Sequence, residues 1–220
     1  MKHLMFLNGF RQMKHNMINF DCNLDYVLEN EAVMLRPLQS TDTKNLLSIS
    51  ESEPELWQYS LLSAAGEINL EKYINLALNA RDNKREYAFI VFDKRKQLYA
   101  GSTRFYDIQM ENKSTQLGYT WIGKEFQGNY LNKGMKYLML EFAFDVCGFN
   151  RVEFRADNRN EKSKAAMLSI GCTIEGVLRQ NSLKHDGTLR DSVILSILKN
   201  EWDEGKKIKL YQKLHHHLVI

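Results

Sequence analysis

The chain has little cysteine, no long apolar run and almost no surplus of charge, and each shortage removes a class of protein. Cys22, Cys147 and Cys172 are odd in number, far apart and without a C-x-x-C pair. Neither a disulfide framework nor a zinc site is indicated, and a reduced, cytoplasmic setting is expected. The N-terminal run Leu4-Met5-Phe6-Leu7 stops at Asn8 and Gly9, too short for a signal-peptide core. No later run approaches the ~18 apolar residues of a membrane span, so no membrane association is expected. Thirty Lys and Arg face 27 Asp and Glu, a net charge of +3, and the basic residues are scattered rather than striped. Nucleic acid is therefore a poor partner. No internal repeat or low-complexity tract appears. What is present, 44% hydrophobic and 11% aromatic residues in 220, is enough to fill one well-packed core.

The organisation reads as three parts: an N-terminal extension over residues 1–30, one principal domain over 31–203 and a C-terminal tail over 204–220. Residues 1–16 lack sustained periodicity, and Met17 offers an alternative start. In the domain, Val33–Leu38 is a short strand with Pro37 at its end. A helix follows, capped by Ser40 or Thr41, with Asp42 in its first turn. The aromatic-rich segment 54–66 is expected to be a substrate-facing loop. A helix over 67–81, strands over 87–92, 97–106 and 114–122, a helix over 131–146 and a strand over 151–156 come next. A short helix over 160–170, a strand over 172–178, the Asp186-Gly187 turn and a strand over 191–198 complete the pattern. The result is an α/β (α+β) fold, a mixed and largely antiparallel sheet flanked by helices.

Two local features carry chemistry. Phe126-Gln-Gly-Asn-Tyr-Leu-Asn132 leads from a strand into the long helix, whose first N–H groups are unpaired and whose dipole is positive there. Such a mouth holds a diphosphate without needing a lysine, and Gly128 lets the backbone approach closely. Read more plainly, Gly128 only tightens a strand-to-helix connection. Asn160 and Ser163 fall at the N-cap and N3 positions of the short helix, so both side chains point to one open mouth. Asn160 caps in either reading; in the functional one its amide also serves a bound pantetheine arm.

The order of elements, the Gln127-Gly128 turn, the phrase Arg151-Val-Glu-Phe-Arg-Ala-Asp-Asn-Arg-Asn-Glu-Lys-Ser163 and the stretch from Ala165 to Arg179 together resemble the GCN5-related N-acetyltransferase (GNAT) family, nearest its RimJ/RimL-like branch. The likeness covers roughly Val33 to Trp202. It implies a splayed sheet in which strands 114–122 and 151–156 part to admit acetyl-CoA, the co-substrate. Direct transfer to a primary amine, of a protein N-terminus or a small molecule, is implied, with no metal. Trp121 and Ile122 would pair by their backbone with pantetheine, and Gln127, Gly128, Asn129, Tyr130, Leu131 and Asn132 would take the pyrophosphate. Asn158, Asn160 and Ser163 would serve the CoA arm, with Ser163 protonating the leaving thiolate. Dimers are common among proteins the chain resembles, so a homodimer is an expectation too.

One departure stands out. Tyr130 and Asn132 occupy small-residue positions of the family signature Gln/Arg-x-x-Gly-x-Gly/Ala. A ring at Tyr130 is expected to narrow the cradle, unless Tyr130 or Asn132 contacts phosphate or adenine from the side. A non-catalytic CoA-binding or protein-interaction module with a degenerate loop is the alternative function. For the general base, Glu67, Tyr119 and a water chain are candidates. Trp57 and Trp121 read as packing or as pocket wall. The His215–217 cluster lacks the fixed geometry of a metal site, Lys206, Lys207 and Lys209 read as a solvated helix end, and Cys147 and Cys172 as core.

Overall fold

A computed structural model of the protein describes residues 4–8 and 19–219, with side chains from 19 to 215; Met17 and the side chains of His216 and His217 lie outside the described residues. Nine strands form one sheet: β1 (Leu4–Asn8), β2 (Asp25–Glu29), β3 (Val33–Pro37), β4 (Glu86–Asp93), β5 (Leu98–Gln109), β6 (Ser114–Ile122), β7 (Arg151–Asp157), β8 (Thr173–Leu183) and β9 (Leu189–Leu198). Their spatial order is β1-β2-β3-β4-β5-β6-β7-β9-β8. The pairs β1/β2 and β6/β7 are parallel, and the remaining pairs are antiparallel. Helices α1 (Thr43–Ser52), α2 (Glu67–Asp82), α3 (Tyr130–Glu141), α4 (Glu161–Ser169), the single turn α5 (Lys199–Glu201) and α6 (Lys207–Val219) complete the fold.

Strand alternation divides the core between the two faces of the sheet. Along β4, Tyr87, Phe89 and Val91 enter a cluster with Leu131, Met135, Leu138 and Met139 of α3. Ala88 and Ile90 enter the opposite cluster with Leu46 of α1, Leu70 and Ile74 of α2, Trp57 and Trp121. The apolar stripe of α3 explains its place, since it buries almost its whole length. Its last turns widen into a π-helical segment, Phe142–Val146, before Gly148 at φ 68° turns the chain into β7. β8 runs five residues past the expected end at 178, because an irregularity between Leu178 and Ser182, with Gln180 at φ 47°, breaks the alternation without ending the strand.

The described parts of both flanks pack onto the domain. Residues 25–29 are β2, Tyr26 and Leu28 are core residues, and β1 pairs beside them. Arg81 of α2 pins this segment by donating to the Cys22 and Leu24 carbonyls, both at 2.8 Å, and to Asp25 at 2.6 Å. At the other end, Leu210 and Leu214 of α6 are 1% exposed, and the Tyr211 ring lies 5.9 Å from that of Tyr137 in α3. Lys206 and Lys207 are not simply solvated: Lys206 pairs with Glu201, and Lys207 pairs with Asp145 and Glu141. Most of these partners lie far off in sequence, so local pattern could not announce them. Cys22, Cys147 and Cys172 are free and buried.

Candidate active site

β6 and β7 pair only through Ser114↔Arg151, Thr115↔Val152 and Gln116↔Glu153. Beyond that point β6 continues to Ile122 and β7 to Asp157, with no further pairing between them among the described residues. Between the parted strands lies a cleft of about 950 Å³. On its other side β6 stays bound to β5, but with one residue too many: Ser102 faces Trp121 whereas Arg104 faces Gly118. This bulge holds Tyr119 at φ 48°, an uncommon backbone for a residue with a β-carbon. The Tyr73 hydroxyl fixes it by donating to the Tyr119 carbonyl at 3.1 Å. Gly101 permits the close approach alongside, where a β-carbon would run into the Trp121 carbonyl.

Two helix mouths open on the cleft. After β6, Gln127 donates to the Ile122 carbonyl at 2.6 Å and accepts from Lys162 Nζ of α4. Gly128 follows at φ 74°, and no protein atom lies within 4 Å of where a β-carbon would stand. Asn129 caps α3, its Oδ1 accepting from Leu131 N at 2.8 Å. At the second mouth Asn160 Oδ1 accepts from Ser163 N at 2.9 Å, which is the expected N-cap to N3 geometry. The Ser163 hydroxyl faces the cleft and has no hydrogen-bond partner among the described residues. Lys124, Lys133 and Lys162 stand near the α3 mouth, Lys124 paired with Glu55 and Lys162 donating to Gln127. Positive helix ends, an uncrowded glycine and a cationic rim suit a diphosphate, so the residues present fit the pyrophosphate of CoA.

The structure brings together most of the expected contacts. Trp121, Ile122, Gln127, Gly128, Asn129, Asn132, Asn160 and Ser163 line the cleft; the side chains of Tyr130, Leu131 and Asn158 do not. Leu131 is a core residue at 0% exposure. Asn158 instead donates its backbone N–H to the Asp191 carbonyl at 2.8 Å. Tyr130 turns away from the cradle, its hydroxyl donating to the Asp93 carboxylate at 2.8 and 2.9 Å under the Arg95 guanidinium. The ring therefore does not line the cleft. Burial and then Asp93 push its phenol up to about 12.

The base candidates fare differently. Glu67 is exposed in the first turn of α2 and lies outside the cleft. Tyr119 lines the cleft, but burial raises its pKa, and its ring is held between Tyr106 and the Arg104 guanidinium. A phenol made harder to ionise is a poor proton acceptor. Trp57 and Trp121 are both packing and wall: their rings meet edge-on at 5.2 Å, they line the cleft, and neither indole N–H has an acceptor among the described residues.

Lys136 is the residue the sequence reading passed over. It stands four residues after Asn132 and three before Met139, on the buried side of α3, and only 7% of its surface is exposed. Its Nζ donates to Thr120 Oγ1 of β6 at 2.9 Å and lies 5.6 Å from the Phe154 ring of β7, so it floors the gap between the parted strands. Thr120 in turn shares a hydrogen bond with Thr103 at 2.8 Å. Burial pushes the ammonium down to about 7. A lysine inside an apolar helical stripe was the available signal.

A family model for the acetyltransferase (GNAT) domain matches residues 32–173, from β3 through both helix mouths. YdaF of Bacillus subtilis, provisionally named a ribosomal N-acetyltransferase, is 31% identical over 183 residues, covering 81% of this chain and 97% of that protein. The crystal structure of an acetyltransferase from T. thermophilus superposes with a TM-score of 0.77 at 32% identity, covering 86% of this chain and 96% of that one. RimJ of Mycobacterium smegmatis, solved with a CoA-disulfide, shares the fold at a TM-score of 0.72 and 17% identity over 86% of this chain and 93% of its own. The family model spans the parted strands and the two helix mouths that flank them, and the chain belongs to the GCN5-related N-acetyltransferases, in their RimJ/RimL-like branch.

Proposed function

We propose that the chain passes an acetyl group from acetyl-CoA directly to a primary amine, of a protein N-terminus or a small molecule, within this cleft. The observation that supports it most is the end of β6/β7 pairing at Gln116↔Glu153, beside two capped helix mouths. When bound, acetyl-CoA supplies the activated thioester. The backbone donors from Gly128 to Asn132 other than Leu131, whose N–H the Asn129 cap holds, take the diphosphate with help from Lys133 and Lys162. The unpaired edge of β6 from Leu117 to Ile122 offers strand-like pairing to the pantetheine amides. Asn160 spends its carbonyl oxygen on the helix cap, which leaves its NH₂ for the same arm. Ser163 Oγ–H is the proton donor to the departing sulfur, and an amine proton leaves through water in the cleft, since Glu67 lies outside it and the Tyr119 phenol stays protonated.

YdaF is named for a ribosomal acceptor, which favours an amine carried by a protein. Three buried free thiols suit a reducing, cytoplasmic setting. The edge strand β8 exposes Ile174, Val177, Leu178 and Leu183, a surface on which two copies could meet as a homodimer.

Calorimetry with acetyl-CoA and CoA tests the donor side, and a panel of amines with thiol-release detection tests transfer. Binding followed by amine-dependent thiol release is expected. No binding at high micromolar CoA would point instead to an interaction module, and binding without release under any amine to a silent CoA binder.

A further inference from the structure

Arg190 is 7% exposed, yet no carboxylate is hydrogen-bonded to it among the described residues. Its Nε donates to Ser192 Oγ at 3.0 Å, and neither terminal nitrogen has a hydrogen-bond partner among the described residues. Burying a guanidinium without a counter-ion is costly, and burial lowers its pKa. Asp157 favours its charge through space, but burial outweighs that. Asp157 is committed to Arg159 through paired hydrogen bonds of 2.9 and 2.7 Å. Tyr106 and Tyr119 are phenols whose pKa burial raises, so they stay neutral, and Arg155 adds a like charge.

The face on which Arg190 stands is set by strand parity. Val193, Leu195 and Ile197 of β9 enter the core under α3, so Arg190 and Ser192 point to the other face, the side of Trp57, Tyr73 and Tyr119. That side is the face opposite the one on which α3 packs. It is walled where the β8–β9 turn meets the 54–66 segment, His185 Nε2 lying 3.1 Å from the Trp57 carbonyl and Lys184 Nζ donating to the Gln58 carbonyl at 3.2 Å. Arg190, Arg155, Tyr59, Tyr106 and Tyr119 all line the cleft there.

We infer that Arg190 is a specificity residue that pairs with a carboxylate of the acceptor, so that the preferred amine belongs to a molecule with an acidic group close by. The inference rests on the transfer reading above for its placement of the acceptor. A planar fork with both terminal nitrogens free matches a carboxylate in two-point contact, which a lysine cannot reproduce. An acidic side chain near a protein N-terminus and the carboxylate of a free amino acid present the same chemistry.

The test uses matched amines with acetyl-CoA saturating: free amino acids against their amides, and short peptides with Asp against Asn beside a free N-terminus. Whichever pair shows the larger preference identifies the source of the carboxylate. The acidic member is expected to be favoured at least about tenfold in kcat/KM, mainly through KM. Arg190→Gln should bring that ratio to near unity while leaving acetyl-CoA affinity and turnover of the neutral members intact, and Arg190→Lys should restore part of it. Equal turnover of both members by the natural chain, or a preference that survives Arg190→Gln, would overturn the inference. Should no amine turn over although CoA binds, the transfer reading fails. Calorimetric binding of the matched amines to the CoA complex then decides about Arg190: tighter binding of the acidic member, lost in Arg190→Gln, supports it, and equal binding refutes it.

Discussion

The two edges of β7 present opposite solutions to the same backbone problem. On one edge every residue from Arg151 to Asp157 is in register with β9, from Leu198 to Ser192. On the other the ladder to β6 stops at Glu153, and the rest of the strand faces a cleft. Buried backbone groups are almost always paired, so an opening of this kind persists only if something replaces the missing strand. Here the gap opens on the cleft, whose lining is shaped from both sides. Lys136 and Thr120 put a polar floor under it, the bulge at Tyr119 shifts β6 out of regular register, and two helix mouths stand at its end. The closed edge is stability; the open edge is a place for an extended ligand.

The largest effect should come from the floor of the open edge. Folded, Lys136 gives up its proton near pH 7, whereas in the unfolded chain it does so near the ordinary lysine value of 10.5. Between those values the unfolded chain binds more protons, so stability at this site is fullest above 10.5 and is lost as the pH falls through about 7. Lys136→Met removes that loss. The variant should be more stable than the natural chain at pH 6, by on the order of 3–5 kcal/mol, and the two should converge toward pH 10. Urea unfolding at several pH values measures this, and a pH-independent difference would show that Lys136 is not buried as a charge.

Ser163→Ala comes next. Loss of a positioned proton donor should lower kcat about 10²-fold, with acetyl-CoA affinity nearly unchanged. An unaltered rate, with chemistry verified as rate-limiting, would remove Ser163 from the reaction. Gly128→Val should weaken CoA binding roughly 10- to 100-fold, since a β-branched residue at φ 74° is strained by about 1–2 kcal/mol and would fill the open cradle. Equal affinity by calorimetry would move the diphosphate elsewhere. Smallest is Tyr130→Phe, which removes the hydrogen bonds to Asp93 and should cost about 1 kcal/mol of stability while leaving CoA affinity within about twofold. A larger change in affinity would mean that the ring does reach the ligand.

These residues also mark how far the sequence could be read. Asn160 and Ser163 were legible because an N-cap and its N3 partner lie three residues apart, and Gly128 because a left-handed backbone favours glycine. The strand and helix order from β3 to β9 followed from periodicity, and the family likeness supplied the parting of β6 from β7. The direction of the Tyr130 ring was not legible, because a position in a signature says nothing about where a side chain turns; its partner, Asp93, sits 37 residues earlier. Lys136 and Arg190 were missed for a related reason. What makes each notable is the lack of a counter-ion in a buried setting, which only the assembled strands create. The β2 segment escaped notice because Arg81, which holds it, belongs to α2.

Hydrogen–deuterium exchange with and without CoA tests the open edge most directly. Binding should slow exchange of the amides from Leu117 to Ile122 and from Gly128 to Asn132 while leaving the β7/β9 ladder unchanged. Protection confined to other segments, or unchanged exchange along β6 at saturating CoA, would contradict the assignment of this gap as the cofactor's seat.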